Sequence, residues 1–538
     1  MVQSRTEDQR PGRTKPANGS RLVRIVVGLS GIALLTKVFG FGEKLVVARF
    51  LGTGETADVY FAATGIILTL VWLLRELIHP SLLPVFTTAI HDSPIVAGHL
   101  FKRILLGVAG TLSLAAAILV FAPDLVTRVL LPGFSGAKQH LASQMLSMLS
   151  PALMFLGLST LVYTCLGARR QFIKAAWPEA ALKLLIFAGL LVLMPRLGIR
   201  ALPLAMGAGT LICLGIQLAY LPDRRLLLDA GHPPQVDAHV KRTLALMAPL
   251  VLGLIFSHAN GLFDNVLASM LPQGQMSYLG YSRKLADAIL LVGPTALVTV
   301  VYSELSHLAS AGKQEEFAAL MSRMFRLLVY LSVPAAGLLV VLREPIIRLL
   351  FERGAFGPAS TQATAQAFAT YALGLTTFSV EGLFVHSFFA LGNTRTPVKI
   401  GILCTILDVV LAIVLLKPFA YLGIAGAFVV ARTVKVALLA AILDRRLHNL
   451  LNAGLLRFSL KVAVTTTVVM LVAGLLRLLD NRLSTPLAVI CGLLLPTVGA
   501  LLSFIMVSHV LRIDEFTAAR SLLWSRRKGL QTLPGGIE

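Results

Sequence analysis

The chain has 538 residues, of which 56% are hydrophobic and 14% charged, and its formal net charge is +22. So apolar a composition excludes an ordinary soluble domain and specifies a protein that crosses the bilayer many times. The basic excess falls in short stretches between apolar runs, the distribution that sets membrane topology, so no nucleic-acid partner is implied.

Residues 1–21 are polar, rich in Pro, Gly and Arg, with no short apolar segment leading to a small-residue cleavage site, and are expected to form a disordered cytoplasmic tail. Read with a window of about 19 residues, the chain then gives apolar runs at 22–51, 58–87, 104–122, 142–166, 175–194, 201–221, 243–271, 279–303, 324–342, 364–391, 397–416, 421–443, 458–476 and 484–511, which predicts fourteen transmembrane helices in an all-α fold. An even count puts both termini on one side. One set of loops holds Lys102, Arg103, Arg169, Arg170, Lys174, Arg224, Arg225, Lys241, Arg242, Arg445 and Arg446, and both basic tails lie on that side. The opposite loops carry chiefly Arg128, Arg196, Arg200, Arg343, Arg348 and Arg353, so the termini are expected in the cytoplasm.

The first run is the informative one, because Lys37, Glu43, Lys44 and Arg49 interrupt it. An ionisable group at membrane depth is costly unless it faces a wet cavity or a partner. Lys37 and Lys44 fall on one helical face two turns apart and suit an anionic ligand, while Glu43 balances Lys44. In the second run Glu76 follows Arg75, and in the fifth Glu179 and Lys183 stand at i and i+4, a spacing that suits a local structural pair. His258, Asn260 and Asp264 interrupt the seventh. Arg283, Lys284 and Asp287 open the eighth, where a local Arg283–Asp287 pair would leave Lys284 for a ligand. Asp264 is a candidate to pair with Lys44 across the molecule. Glu381 and His386 lie in the tenth run, Asp408 is an isolated carboxylate that suits ion coupling, and Arg432 and Lys435 are either snorkelling cations or part of a second internal surface.

A weak repeat relates the two halves. Leu166, Gly167, Arg170 and Lys174 match Leu391, Gly392, Arg395 and Lys399 at constant spacing, and Val47, Ala48, Leu51 and Gly54 match Leu267, Ala268, Leu271 and Gly274. The repeats run parallel, an arrangement found in secondary transporters with the substrate site between the halves. The expected organisation is an N-lobe at 22–221, a cytoplasmic linker at 222–242, a C-lobe at 243–443, two further helices at 444–511 and a cytoplasmic tail at 512–538. Cys165, Cys213, Cys404 and Cys491 stand singly without ligand spacing and are read as packing residues, so no metal site is expected. No P-loop, zinc-helix motif or nucleophile elbow is present, no loop is long enough for a soluble catalytic domain, and no catalytic residue is assigned.

Two stretches carry a resemblance to a known family. They are Arg343-Glu344-Pro345-Ile346-Ile347-Arg348-Leu349-Leu350-Phe351-Glu352-Arg353-Gly354-Ala355-Phe356 and Ala390-Leu391-Gly392-Asn393-Thr394-Arg395-Thr396-Pro397-Val398-Lys399, with Tyr371-Ala372-Leu373-Gly374-Leu375 between them. In these the chain resembles the MurJ/MviN lipid II flippases of the multidrug/oligosaccharidyl-lipid/polysaccharide exporter superfamily. The resemblance implies two six-helix lobes around a cationic cavity, and flipping of undecaprenyl-diphosphate-linked peptidoglycan precursor to the periplasmic leaflet of the bacterial inner membrane by alternating access. It implies a transporter with a lipid-linked oligosaccharide as substrate, no cofactor beyond a coupling cation or the membrane potential, and cell-wall synthesis proteins as partners. The alternatives are a flippase for another polyprenyl-linked glycan, such as an exopolysaccharide repeat unit, and, further off, a membrane glycan ligase or polymerase.

The implied diphosphate-binding residues are Lys37, Lys44, Arg49, Arg75 and Lys284, with Glu43, Asp58, Glu76, Asn260, Asp264, Arg283 and His386 in cavity or gating roles and Asp408 for ion coupling. Asp58, Asn260 and Asp264 fit the family pattern. The departures lie elsewhere: Lys37 stands for an arginine, Glu43-Lys44 reverses an Arg-Asp order, and Val71 and Trp72 stand where an arginine pair is expected. Arg283-Lys284 replaces Asp-Arg, and His386 replaces an arginine. Lysine cannot hold a diphosphate in the bidentate way arginine does, so these changes bear on recognition as well as charge.

Overall fold

The computed structural model describes residues 18–221, 235–292, 294–447, 453–480 and 486–517, and among them all regular structure is helical. The N-lobe comprises α1 (Asn18–Leu51), α2 (Glu55–Asp92), α3 (Pro94–Phe121), the short α4 (Pro123–Leu130), α5 (Gly136–Ala168), α6 (Phe172–Leu197) and α7 (Ala201–Ala219). The C-lobe follows with α8 (Gln235–Ser269), α9 (Gln275–Val292), α10 (Pro294–Ser310), α11 (Gln314–Val341), the short α12 (Arg343–Phe351), α13 (Pro358–Leu373), α14 (Leu375–Ala390) and α15 (Arg395–Leu447). Two more helices, α16 (Ala453–Asp480) and α17 (Pro486–Val510), close the chain.

Each predicted apolar run falls on helix. The eighth is divided between α9 and α10, the tenth is broken at Gly374 between α13 and α14, and the eleventh and twelfth share α15. Nine helical stretches among the described residues are long and apolar enough to cross a membrane, and two of these, 172–219 and 395–447, each contain two predicted runs. Local chemistry sets several boundaries. Ser93 accepts the Ile95 N–H at 3.2 Å and is followed by Pro94 in the first turn of α3, the pairing of polar cap and proline that starts a helix. Most helices extend past their apolar runs, α3 beginning at Pro94 and α11 at Gln314; α1 begins at Asn18, inside the expected tail, and α8 at Gln235, inside the expected linker, whose residues 222–234 lie outside the described part.

The repeat is visible in the backbone. The sequence α3–α4–α5 is echoed by α11–α12–α13, each short helix following a long one. The turn after α6 places Gly198 at φ 56°, ψ −136°, and the break within α15 places Ala420 at φ 49°, ψ −128°. The turn after α5 has its left-handed residue at Arg170, and the turn after α14 at Gly392. The sequence match pairs Arg170 with Arg395 instead, so the turn geometry repeats about one helical turn away from the residue match. At the other site the match holds, since Gly54 and Gly274 each stand immediately before a helix.

In the N-lobe α1 packs on α6, α2 on α5, and α7 on both α5 and α6; in the C-lobe α9 packs on α13, and α14 on α11 and α15. The α16–α17 pair lies against α11 and α12. Arg477 ties it there, reaching the Glu344 carboxylate at 2.5 Å and the Val341 carbonyl at 2.9 Å, and Tyr330 donates to Ser508 at 2.7 Å. Cys165, Cys213 and Cys404 are buried, as packing residues should be, and the Cys491 side chain lies outside the described residues.

Candidate functional site

The lobes are joined by a hydrogen-bonded seam at the end where α1 finishes and α2 begins. Asp58, in the first turn of α2, accepts the backbone N–H of Gly274 at 2.8 Å and of Ser277 at 2.9 Å, capping α9 of the other lobe. Lys138 of α5 pairs with the same carboxylate at 2.8 Å. Tyr281 donates to the Gly52 carbonyl at 2.9 Å, Ala355 N–H to the Arg49 carbonyl at 2.8 Å, and the Thr53 and Ser360 hydroxyls meet at 2.6 Å. The backbones come this close because Gly52 and Gly354 both take positive φ, and a Cβ on either would strike the facing chain. Phe61, Phe351 and Phe356 pack around Tyr281 behind the seam.

Deeper along α1, between the lobes, lies a cavity of about 330 Å³. Its charged lining is Lys37, Lys44, Arg75, Lys183 and Lys284 against Glu43, Glu179 and Asp287, a surplus of two positive charges. Glu43 is its fixed anion. Buried at 4% exposure, it accepts hydrogen bonds from Lys44 Nζ at 2.7 Å and Tyr60 Oη at 2.6 Å, with Lys183 Nζ at 3.3 Å; Lys44 also bonds to the Tyr60 hydroxyl. Arg75 pairs with Glu179 at 2.8 Å and stacks over the Tyr163 ring at 4.7 Å. Lys37 is exposed to the cavity with no ion pair among the described residues, and Lys284 has only a loose one, 3.8 Å from Asp287. Val71 and Trp72 line the same space.

A second cavity of about 310 Å³ lies within the C-lobe, lined by Arg283, Asp287, Tyr371, His386 and Arg432 among others. Arg283 pairs with Asp264 at 3.0 Å. Glu381 joins Arg432 and Lys435, each at 2.7 Å, which makes those two cations part of an internal surface. His386 shares a hydrogen bond with the Gly382 carbonyl at 2.7 Å and packs beside Tyr302. Asp408 is 2% exposed; its charged neighbours are Asp264, Arg283 and Arg432, and its Oδ1 has no hydrogen-bond partner among the described residues.

The geometry corrects several pairings expected from the sequence. Lys44 is held by Glu43, and Asp264 by Arg283, so no Lys44–Asp264 pair forms. Asp287 lies by Lys284 instead of Arg283. Glu179 and Lys183 do not pair with each other, because both point into the cavity and find partners on α2 and α1. Arg49 and Glu76 line neither cavity: Arg49 sits exposed at the seam over the Phe50 ring, and Glu76 is exposed on the far part of α2. The Asn260 side chain, like that of His258, lies outside the described residues. Sequence reading missed Tyr60 and Lys138, and it took Lys183 for the partner of Glu179 instead of a cavity cation. A tyrosine inside the charged face of α2 was the available sign for the first, whereas Lys138 precedes its apolar run and gives none.

The family model described as Lipid II flippase MurJ matches residues 47–494. The chain belongs to the MurJ family. A probable lipid II flippase MurJ of Rhizobium meliloti (strain 1021) is 30% identical over 437 residues, covering 79% of this chain and 81% of the relative. The corresponding Vibrio cholerae protein is 28% identical over 444 residues, covering 80% and 83%. Among solved structures, a lipid II flippase MurJ in an inward closed conformation superposes with a TM-score of 0.77 at 19% identity, over 90% of this chain and 99% of that one. An inward-facing multidrug resistance MATE family transporter gives 0.67 at 12% identity, over 79% and 98%. The MurJ-family chain is thus a multi-pass transporter, and Lys37, Glu43, Lys44 and Trp72 all line its cavity.

Proposed function

We propose that this MurJ-family chain flips lipid II from the cytoplasmic to the periplasmic leaflet, acting as a transporter without chemistry of its own. The observation that carries the reading is the interlobe cavity, whose lining has two more cations than anions, matching the charge of a diphosphate diester. A low-dielectric cavity of that sign concentrates an anionic head group and disfavours a cationic drug. Lys37 and Lys284, from opposite lobes, are the cations free to turn to the diphosphate, with Lys183 able to leave the longer contact to Glu43. Lys44 is already held by Glu43 and Tyr60, so its part is to keep Glu43 charged and in place.

With the termini cytoplasmic, the orientation the basic loops favour, the Asp58 seam closes the periplasmic end and the cavity serves the cytoplasmic leaflet. Alternating access then consists of opening that seam while the lobes close below the head group, and the polyprenyl chain stays in lipid. Drive comes from a coupling cation at Asp408 or from the membrane potential, worth about 2.3 kcal/mol per elementary charge per 100 mV. Cell-wall synthesis enzymes that consume the product are the partners this role requires.

The test is replacement of a host's own flippase under depletion, with membrane insertion checked by blot and lipid II measured in the outer leaflet. Growth with lipid II on the periplasmic face is expected. A well-inserted chain that leaves lipid II inside would transfer the assignment to another polyprenyl-linked glycan.

A further inference from the structure

We propose that Trp72, together with the Arg75–Glu179 pair, forms a saccharide subsite in the interlobe cavity that packs against a pyranose ring of the lipid-linked head group. The proposal rests on the flippase reading above and adds the part of the ligand that the lysines do not address.

Trp72 is 53% exposed although it lies well inside α2 and lines the cavity. Indoles in membrane proteins ordinarily sit at the lipid–water boundary or in packed core, and one that faces a wet cavity leaves a large apolar surface hydrated until something covers it. A diphosphate has no apolar face to do so. A pyranose has one: its axial C–H groups pack flat on an aromatic ring while its hydroxyls point outward in the ring plane and need hydrogen-bond partners.

Those partners stand beside the indole. Arg75 is at i+3 from Trp72, on the same side of α2. Its guanidinium is held by Glu179 at 2.8 Å and by the Tyr163 ring at 4.7 Å, so it is fixed in place before any ligand arrives. Both members of the pair remain about a third exposed, at 34% and 33%, and their remaining N–H donors and carboxylate lone pairs are available to vicinal hydroxyls. A planar aromatic next to a fixed donor–acceptor pair is the composition of a site that orients a small polar ligand. The subsite also lies beyond the lysines. Tyr60, bonded to Glu43, marks the level of that pair on α2. From that level Trp72 lies about 18 Å along α2, and Lys37 about 9 Å along the antiparallel α1 in the same direction, at ~1.5 Å per residue, so the indole stands past Lys37 with room for the sugar that follows the diphosphate.

The experiment uses the purified full-length protein in nanodiscs and measures dissociation constants for undecaprenyl diphosphate, lipid II and undecaprenyl-diphosphate-galactose. One of the two glycolipids should bind more tightly than the bare diphosphate. Trp72→Ala should remove that sugar-dependent gain, a loss of about tenfold, and leave undecaprenyl diphosphate binding unchanged. Trp72→Tyr should retain most of the gain, and Trp72→Leu, which keeps an apolar side chain but no flat ring, should lose it. No sugar-dependent gain in the parent protein, a gain that survives both Trp72→Ala and Trp72→Leu, or an equal loss for all three lipids would each overturn the proposal. A gain confined to the galactose lipid would uphold the saccharide subsite and overturn the lipid II assignment, so the two can fail separately.

Discussion

The Asp58 carboxylate accepts the Ser277 backbone N–H at 2.9 Å, so an acid on one lobe caps a helix of the other. The helix N-terminus adds its own favourable field to the hydrogen bonds, and Lys138 holds the carboxylate in place. Hydrogen bonds to a charged group contribute about 1.5–3 kcal/mol each, enough to decide which end of a two-state transporter is closed. Asp58→Ala should therefore open the seam. A Thr53→Cys/Ser360→Cys double variant, whose side-chain oxygens meet at 2.6 Å in the parent, reports it. Disulfide formation should be near complete in that background and fall several-fold when Asp58→Ala is added. Unchanged cross-linking would show that the seam does not depend on the cap.

Glu43 and the lysines around it should separate by phenotype. Removing Lys37 or Lys284 takes away an exposed cation that supports no packing, so transport should be lost while membrane abundance and thermal stability stay near the parent values. Glu43→Ala instead leaves Lys44 buried at 8% exposure without its counter-ion. Breaking such a buried pair costs about 3–5 kcal/mol, and abundance should drop. Glu43→Ala/Lys44→Leu should recover abundance without recovering transport. Thermal unfolding in detergent and quantitative blotting distinguish the two classes.

How much of this was readable beforehand depended on the range of the interaction. The apolar runs are set by bilayer thickness and backbone satisfaction, both local constraints, and each fell on helix. That Lys37 and Lys284 are cavity cations could likewise be inferred from the cost of placing them in lipid. Partner choice could not. Glu179 and Lys183 had ideal spacing for pairing with each other, yet α1 and α2 each presented a better counter-charge across the cavity. Helical periodicity gives the face a residue occupies but not what the next helix brings to it. Arg49 shows the same limit along the axis: its position in α1 is correct, but the helix ends at the seam and carries it away from the cavity.

The repeated backbone turns give a prediction about stability. Gly198 and Ala420 hold nearly the same φ and ψ, in a region that favours glycine, and only Ala420 carries a Cβ there. Ala420→Gly should relieve that strain and, after the entropy cost of glycine, gain about 1 kcal/mol. Gly198→Ala should lose a comparable amount. Both are measured as shifts in the unfolding midpoint of the purified protein, with opposite signs expected.

Asp408 offers the last prediction, on energy coupling. Its carboxylate is 2% exposed, one oxygen lacks a hydrogen-bond partner among the described residues, and Asp264 nearby is already engaged by Arg283. A buried carboxylate with an oxygen left without a hydrogen bond is costly to keep, and a transporter retains one where a cation or proton occupies it for part of the cycle. Asp408→Asn preserves the size of the side chain and removes its ability to ionise. If Asp408 carries the coupling ion, the variant should still bind lipid II but should flip it at a rate that no longer responds to an imposed ion or proton gradient. Lipid II flipping in proteoliposomes, with gradients set and then collapsed by ionophores, measures this directly. A variant that keeps the parent's response would leave the membrane potential, acting on the lysine-bound diphosphate, as the source of drive.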